Sequence, residues 1–380
     1  MNLVDKARVE AEKVLEKCIT KSGLYASGTS EGYTSVWARD SMITLLGGSL
    51  AGEKFKKVFE DTLLNLITNQ SELGQIPNAT GLYDKLRRSD VTYNTIDSTL
   101  WFLIGMCLYS KNYNQPKFFE NYKKEIDRAL LWVKYRDMSE DLLPEQLPTT
   151  DWQDAFPHKY GHVINSLALY YQSLRLLGED KTASRIKKII NGESEFPHLS
   201  LFDKKKGYYL PWIWKDHDGD REQEDWFDSL GNLLAIVGGL ADQSQAEQII
   251  SYIESNKIDL PYPIKCIYPP IEKESPLWKS YFEKCDARDP YHYLNAGIWP
   301  FIGGFYVASL VKIGQYNKAQ FHLERLAAAN YRGRKIDWEF NEWLDGERGE
   351  PKGGIYQAWS AGAYIFAYET VSQKKVPHFI

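Results

Sequence analysis

With 380 residues, the chain is long enough to bury a core without help from disulfides or metals, and no tract marks a second domain. Hydrophobic residues make up 43%, which excludes a disordered or membrane class, and a net charge of −5 with interspersed signs leaves no basic stripe for nucleic acid or anionic lipid. Aromatics are in excess, at 12 Trp, 25 Tyr and 16 Phe, and flat apolar faces with polar edges suit carbohydrate rings.

Val4, Ala7, Ala11, Val14, Leu15, Cys18 and Ile19 keep the three- and four-residue spacing of an amphipathic helix. Similar periodicity predicts helices over 41–50, 55–68, 95–109, 118–135, 163–177, 181–191, 230–242, 244–256, 298–313, 316–330 and 359–372. Extended alternation is rare, and 206–214 reads as a short hairpin or an irregular loop. The first ten residues lack an apolar stretch, so no secretory leader is expected, and no apolar run reaches membrane-spanning length. Cys18, Cys107, Cys266 and Cys285 are scattered without ligand spacing, which predicts buried free thiols in a reducing compartment, the cytoplasm, and no zinc cluster. No Pro/Gly/Ser linker divides residues 1–380, so one domain is expected. Long loops rich in Trp, Asp, Asn and Gly alternate with short polar turns between the helices. An all-α (α/α)6 toroid satisfies that rhythm, with the long loops gathered at one end.

Several loops carry residues suited to sugar chemistry. In Trp37-Ala38-Arg39-Asp40, Asp40 can accept from hydroxyls and Arg39 can donate a fixed fork, although an acid there also suits a helix cap. Asn94 and Asp97 precede an apolar helix, where a capping role fits equally well. Asp151-Trp152-Gln153-Asp154 leads to Pro157, which limits regular helix, and Asp154 beside Gln153 and Phe156 should bind its proton more tightly, as a general acid requires. Asp154, His158 and His162 as metal ligands is the weaker reading, because Pro157 and Gly161 break helical spacing. The run Asp216-His217-Asp218-Gly219-Asp220 lacks the terminal Glu of a calcium loop and reads as solvated. Asp228 and Asn232 lie one helical turn apart and could face a pocket together. His292, Asn295 and Trp299 sit in an aromatic loop, and Glu339, Glu342 and Asp345 crowd the segment before Gln357 and Trp359. Composition does not choose between Glu339 and Glu342. Two carboxyls on opposite sides of one acetal bond are what glycoside cleavage needs, so the chain reads as a glycoside-cleaving enzyme.

These blocks, in this order over about residues 30 to 370, resemble the (α/α)6, six-hairpin glycosidase-like hydrolases: neutral/alkaline invertases and the amylo-α-1,6-glucosidase domain of glycogen-debranching enzymes. Trp37-Ala38-Arg39-Asp40 looks like their sugar-binding Trp-x-Arg-Asp, and Asn94 to Trp101 looks like a debranching-type block. Trp152-Gln153-Asp154-Ala155 is similar to the segment carrying the general acid, which implies that role for Asp154. Trp226 to Ala235 resembles an invertase block, and Gln357-Ala358-Trp359-Ser360 matches the Gln-x-Trp that follows the second carboxylate. Glu342, followed by an aromatic residue and then Asp345-Gly346, matches the invertase base segment, so the resemblance selects Glu342 over Glu339. Where invertases carry Arg-Arg-Met-Gly-Ile after the acid, this chain has Ala-Phe-Pro-His-Lys.

The expectation is an inverting, exo-acting glycoside hydrolase that needs no metal or cofactor and splits an α-glucosidic bond in a short oligosaccharide or sucrose. Asp154 would be its acid and Glu342 its base. Trp37, Arg39, Asp40, Asn94, Asp97, Trp152, Gln153, Asp228, Asn232, His292, Asn295, Trp299, Gln357 and Trp359 are the expected sugar contacts. The rivals are a toroidal epimerase or isomerase, which would want paired pocket histidines, and a non-catalytic sugar-binding protein. No stretch marks an oligomer interface.

Overall fold

The computed structural model describes residues 1–29, 32–81, 89 and 91–379. Its α-helices, in chain order, begin with α1 (Leu3–Lys17), α2 (Ala38–Gly48), α3 (Lys56–Thr68), α4 (Asp97–Asn112), α5 (Pro116–Asn121) and α6 (Lys123–Lys134). They continue with α7 (Ile164–Leu176), α8 (Asp180–Ile190), α9 (Ser229–Val237), α10 (Gln243–Ser255), α11 (Pro300–Lys312), α12 (Tyr316–Tyr331) and α13 (Ala358–Gln373).

Two helix types alternate, and their sequences say why. In α2 and α9 every residue is buried, and α4, α7, α11 and α13 are buried on nearly all faces, as chains apolar all round must be. In α8 only Ala183, Ile186, Ile189 and Ile190 are buried, and in α10 the buried set is Gln245, Ala246, Ile249, Ile250 and Ile253. One apolar stripe suffices for a helix with a wet outer face. α2 packs on α4, α4 on α7, α7 on α9, α9 on α11, α11 on α13, and α13 returns to α2. The inner six therefore close a ring, with α1, α3, α6, α8, α10 and α12 outside it. This is the expected (α/α)6 toroid.

Closure depends on small residues where the last inner helix meets the first. A Cβ at Gly47 would lie 1.9 Å from the Gly362 carbonyl oxygen, and one at Gly362 would lie 2.5 Å from Thr44 Cα. The two backbones touch only because neither residue has a side chain.

Two expectations are corrected and an open one is decided. The helix expected over 118–135 is two, α5 and α6, because Tyr122 leaves helical geometry at φ −110° and ψ 20° and turns its ring onto Phe118. The helix expected over 230–242 stops at Val237, where Gly238 and Gly239 follow and Gly239 takes φ +76°. The ambiguous 206–214 contains strand residues: Tyr208–Tyr209 pairs with Phe202–Asp203, and Trp212–His217 pairs with both Asp220–Gln223 and His162–Val163. The acidic run is then a hairpin turn, with Asp216 accepting from the Gly219 N–H at 2.6 Å.

Short antiparallel arms steer the chain into the inner helices. Val36–Trp37, paired with Ala79–Thr80, leads into α2; His162–Val163 leads into α7; Phe227–Asp228, paired with Ile267–Tyr268, leads into α9. No helix among the described residues is long and apolar enough to cross a membrane.

Candidate active site

The starts of the inner helices gather at one end. Trp37 is the residue before α2, and Arg39 and Asp40 lie in its first turn. Trp299 precedes α11, and Trp359 is the second residue of α13. Together with Trp152 and Asp154 from the loop after α6, and Tyr33, Tyr293 and Glu342 from other loops, they line one pocket. Segments far apart in sequence thus bring both singled-out carboxyls to a shared aromatic wall. A wider surface hollow of about 850 Å³, beside Arg185, His198 and Trp214, contains neither carboxyl.

The aromatic wall is braced edge to face. Trp299 meets Trp152 at 5.4 Å and Trp359 at 5.7 Å, and Trp359 stacks on Phe301 at 4.2 Å. The Trp299 indole donates to the Tyr293 carbonyl at 3.0 Å, which fixes that ring. Arg39 Nε, Asp40 Oδ2 and the indole nitrogens of Trp152 and Trp359 are buried without a hydrogen-bond partner in the protein. Buried polar atoms are normally paired, so these four lining groups suit a ligand rich in hydroxyls.

Each carboxyl has a distinct setting. Burial pushes the Asp154 carboxyl up to about 6, helped by Asp97 and Asp151 and opposed by Arg39. The side chain is exposed where it lines the cavity, although protein surrounds the carboxyl closely. Depth governs here, because cavity water is confined and a bound ring would displace it. Glu342 is only 6% exposed, and burial raises it as well. The Gly354 N–H donates to its Oε2 at 2.8 Å and the Tyr33 hydroxyl to its Oε1 at 3.1 Å, both favouring the anion. Burial also lifts Asp40, to about 7, against the pull of Arg39.

Glu339 is fully buried and lines not this pocket but a neighbouring hollow that Glu342 also borders. It accepts from the N–H groups of Arg334, Lys335 and Ile336 at 2.8–3.1 Å and from Asn341, and so binds the loop after α12. Burial pushes this carboxyl up, but the donors together outweigh it and hold the group below its ordinary value.

Of the expected sugar contacts, Trp37, Arg39, Asp40, Trp152, Trp299 and Trp359 line the pocket. The others lie behind or beside it. Asp97 opens α4 and holds Arg39 Nη1 at 3.1 Å, aiming the guanidinium rather than lining the wall. Asp228 caps α9 through the Gly231 N–H and meets Lys159 at 3.4 Å, and Asn232 clamps the Tyr209 backbone from both sides. Asp228 and Asn232 therefore do not face the pocket together. Gln153 accepts from Lys159, and Asn295 holds Ile271 and Ala287. His292 pairs with Asp345 at 3.1 Å, Asn94 is exposed, and Gln357 is fully buried next to Gly354 with its amide lacking a protein partner.

Tyr33, Tyr293 and Lys159 were not among the expected residues. Tyr293 belonged to an aromatic block already singled out, whereas nothing local marks Tyr33. Lys159 is fully buried between Asp151 at 2.9 Å and Asp228 at 3.4 Å. Burial pulls its ammonium down, but the two carboxylates outweigh that and raise it. Lys159→Met would strand two buried anions. The expected loss is about 3–5 kcal/mol of stability, read as a lower melting temperature at pH 7.

The metal reading of Asp154, His158 and His162 does not survive. His158 pairs with the Tyr281 hydroxyl at 2.9 Å and His162 with Asp141 at 3.3 Å, while Asp154 faces the pocket. No group of three or more His, Cys, Asp or Glu among the described residues is placed to hold a metal ion.

Six inner helices thus form a ring with acids and indoles gathered at one mouth. The structure of a GH63 mannosylglycerate hydrolase from Thermus thermophilus, in complex with Tris and D-glycerate, superposes with a TM-score of 0.73 at 14% identity, covering 96% of this chain and 100% of the other. A glycosidase in complex with glucose gives 0.66 at 15% identity, with 97% of each chain covered. At these identities the likeness shows the fold.

Sequence carries the comparison further. Residues 200–374 match the family described as alkaline and neutral invertase, and residues 16–140 match amylo-alpha-1,6-glucosidase. Alkaline/neutral invertase C, mitochondrial, of Arabidopsis thaliana is 26% identical over 326 residues, 73% of this chain and 48% of its own length. Neutral/alkaline invertase 1, mitochondrial, of Oryza sativa subsp. japonica is 32% identical over 142 residues, 37% of this chain and 22% of its own. The chain thus spans about half, or less, of the curated relatives it matches. It resembles both families that its motifs suggested.

Proposed function

We propose that the protein is an inverting, exo-acting glycoside hydrolase that cleaves an α-glucosidic bond in a short oligosaccharide or in sucrose. Asp154 gives its proton to the leaving oxygen, and Glu342 takes one from the attacking water. Trp37, Arg39, Asp40, Trp152, Trp299 and Trp359 hold the terminal sugar. The observation carrying this reading is the meeting of Asp154 and Glu342, from separate loops, in one indole-walled pocket. Their unequal settings support the division of labour. At Asp154 burial and the neighbouring acids Asp97 and Asp151 favour the protonated form against Arg39, whereas Glu342 receives two donors that favour its ionised form. An isomerase is less well supported, because no histidine lines this pocket among the described residues. Four free cysteines support a reducing setting such as the cytoplasm.

The test is glucose release from sucrose, isomaltose, maltose and trehalose, with the first-formed anomer followed by NMR. β-Glucose from an α-linked substrate is expected; α-glucose would refute inversion, and release from none of the four would refute the activity.

The approach of Gly353 to Glu342 gives a second expectation. Gly353 has φ +66°, and a Cβ there would lie 2.5 Å from Glu342 Oε2. Gly353→Ala should displace the carboxylate by a fraction of an ångström or more. A fall in kcat of about 100-fold, exceeding any effect on folding, is the expected result.

A further inference from the structure

Glu342 and Tyr33 belong to two cavities at once. On one side is the sugar pocket, narrow, with about 50 Å³ of water-accessible space. On the other is a hollow of about 460 Å³, walled by Thr29, Ile355 and the Gly353-Gly354 turn and rimmed by Arg334 and Lys335. Both rim residues are exposed, so the hollow meets bulk solvent, and the wall between the cavities is the Tyr33–Glu342 hydrogen bond of 3.1 Å.

Hydrolysis consumes one water per turnover. The water oxygen bonds to the anomeric carbon as the bond to the leaving oxygen breaks. Asp154 loses a proton to that oxygen, and Glu342 gains one from the water. Afterwards Glu342 must release its proton, Asp154 must regain one from solvent, and a new water must reach the Glu342 side. A ring that fills so narrow a pocket blocks the route through the sugar's own mouth, and inversion requires the water on the face away from the leaving group. The hollow reaches Glu342 without passing through the sugar pocket.

Resting on the hydrolase reading, we propose that this hollow is the port through which the attacking water is supplied and the Glu342 proton returned to solvent, with Tyr33 the positioning residue at its inner end. Arg334 and Lys335 keep the rim hydrated, and Tyr33 holds the carboxylate oxygen between the two spaces.

The test is to fill the port without touching its inner wall. Thr29→Trp and Ile355→Trp crowd the hollow from two sides, and Lys335→Trp caps it from an exposed position where folding is not at stake. Glucose affinity by calorimetry and kcat on sucrose or isomaltose, whichever the parent splits faster, are measured beside Glu342→Gln. The expected result is kcat at least tenfold lower in the fillers with the glucose Kd within twofold of the parent. Fillers with parental kcat, while Glu342→Gln is inactive, overturn the port alone. An active Glu342→Gln, or a parent that splits neither sugar, overturns the base assignment and the port together.

Discussion

Glu342→Gln is expected to lower kcat on the order of 10³-fold while the melting temperature stays near that of the parent. The amide oxygen still accepts from the Gly354 N–H and its NH2 can donate to the Tyr33 hydroxyl, but the amide cannot take a proton from water. Glu339→Gln, three residues away, should behave in the opposite way. Its carboxylate accepts from three consecutive backbone N–H groups, so loss of charge weakens the loop after α12, by about 2–3 kcal/mol, and lowers activity only as far as it lowers the folded fraction. Melting curves and steady-state kinetics on the two variants separate the roles. If Glu339→Gln loses kcat at an unchanged melting temperature while Glu342→Gln merely unfolds sooner, the assignment is reversed.

That pair also shows how far sequence reasoning reaches. Both glutamates lie in one acidic, aromatic segment, and no local pattern separates them. Resemblance points to Glu342, and the two differ in setting: Glu339 accepts from its own loop, whereas Glu342 lines the pocket that Asp154 also lines. The inner helices were legible because a helix buried on all sides must be apolar throughout, and their ends slipped where that rule met an exception. Arg39 and Asp40 look like loop residues, yet they are buried in the first turn of α2, so the helix starts three residues before the expected 41.

The layer behind the pocket was less legible. Asp228, Asn232 and Asn295 have the composition of sugar-binding residues, but each spends its hydrogen bonds on backbone or on Lys159. Polar residues that brace loops and polar residues that bind hydroxyls are chemically the same, and only contacts distinguish them. Tyr33 shows the converse. Its neighbours Thr29, Gly32 and Thr34 carry no motif, and its importance comes from meeting a residue 309 positions away.

Asp154→Asn gives the second large effect, and it should depend on the leaving group and on pH. Loss of the proton donor is expected to lower kcat by about 10²–10⁴-fold on sucrose or isomaltose, but far less on p-nitrophenyl α-glucoside, whose leaving group needs no proton. The parent must hold Asp154 protonated and Glu342 ionised. Because burial lifts Asp154 to about 6, kcat/KM should decline as pH rises through that value, with the acid limb set by Glu342. A bound sugar displaces water from around Asp154 and raises it further, so the alkaline limb of kcat should lie above that of kcat/KM. Stability runs the same way. A carboxyl raised in the folded state contributes stability below its unfolded value near 3.8 that is lost as pH climbs through about 6. Asn cannot ionise, so the melting temperature of Asp154→Asn relative to the parent should rise between pH 4 and pH 8. A flat difference across that range, or an alkaline limb that persists unchanged in the variant, would move the acid role to another group.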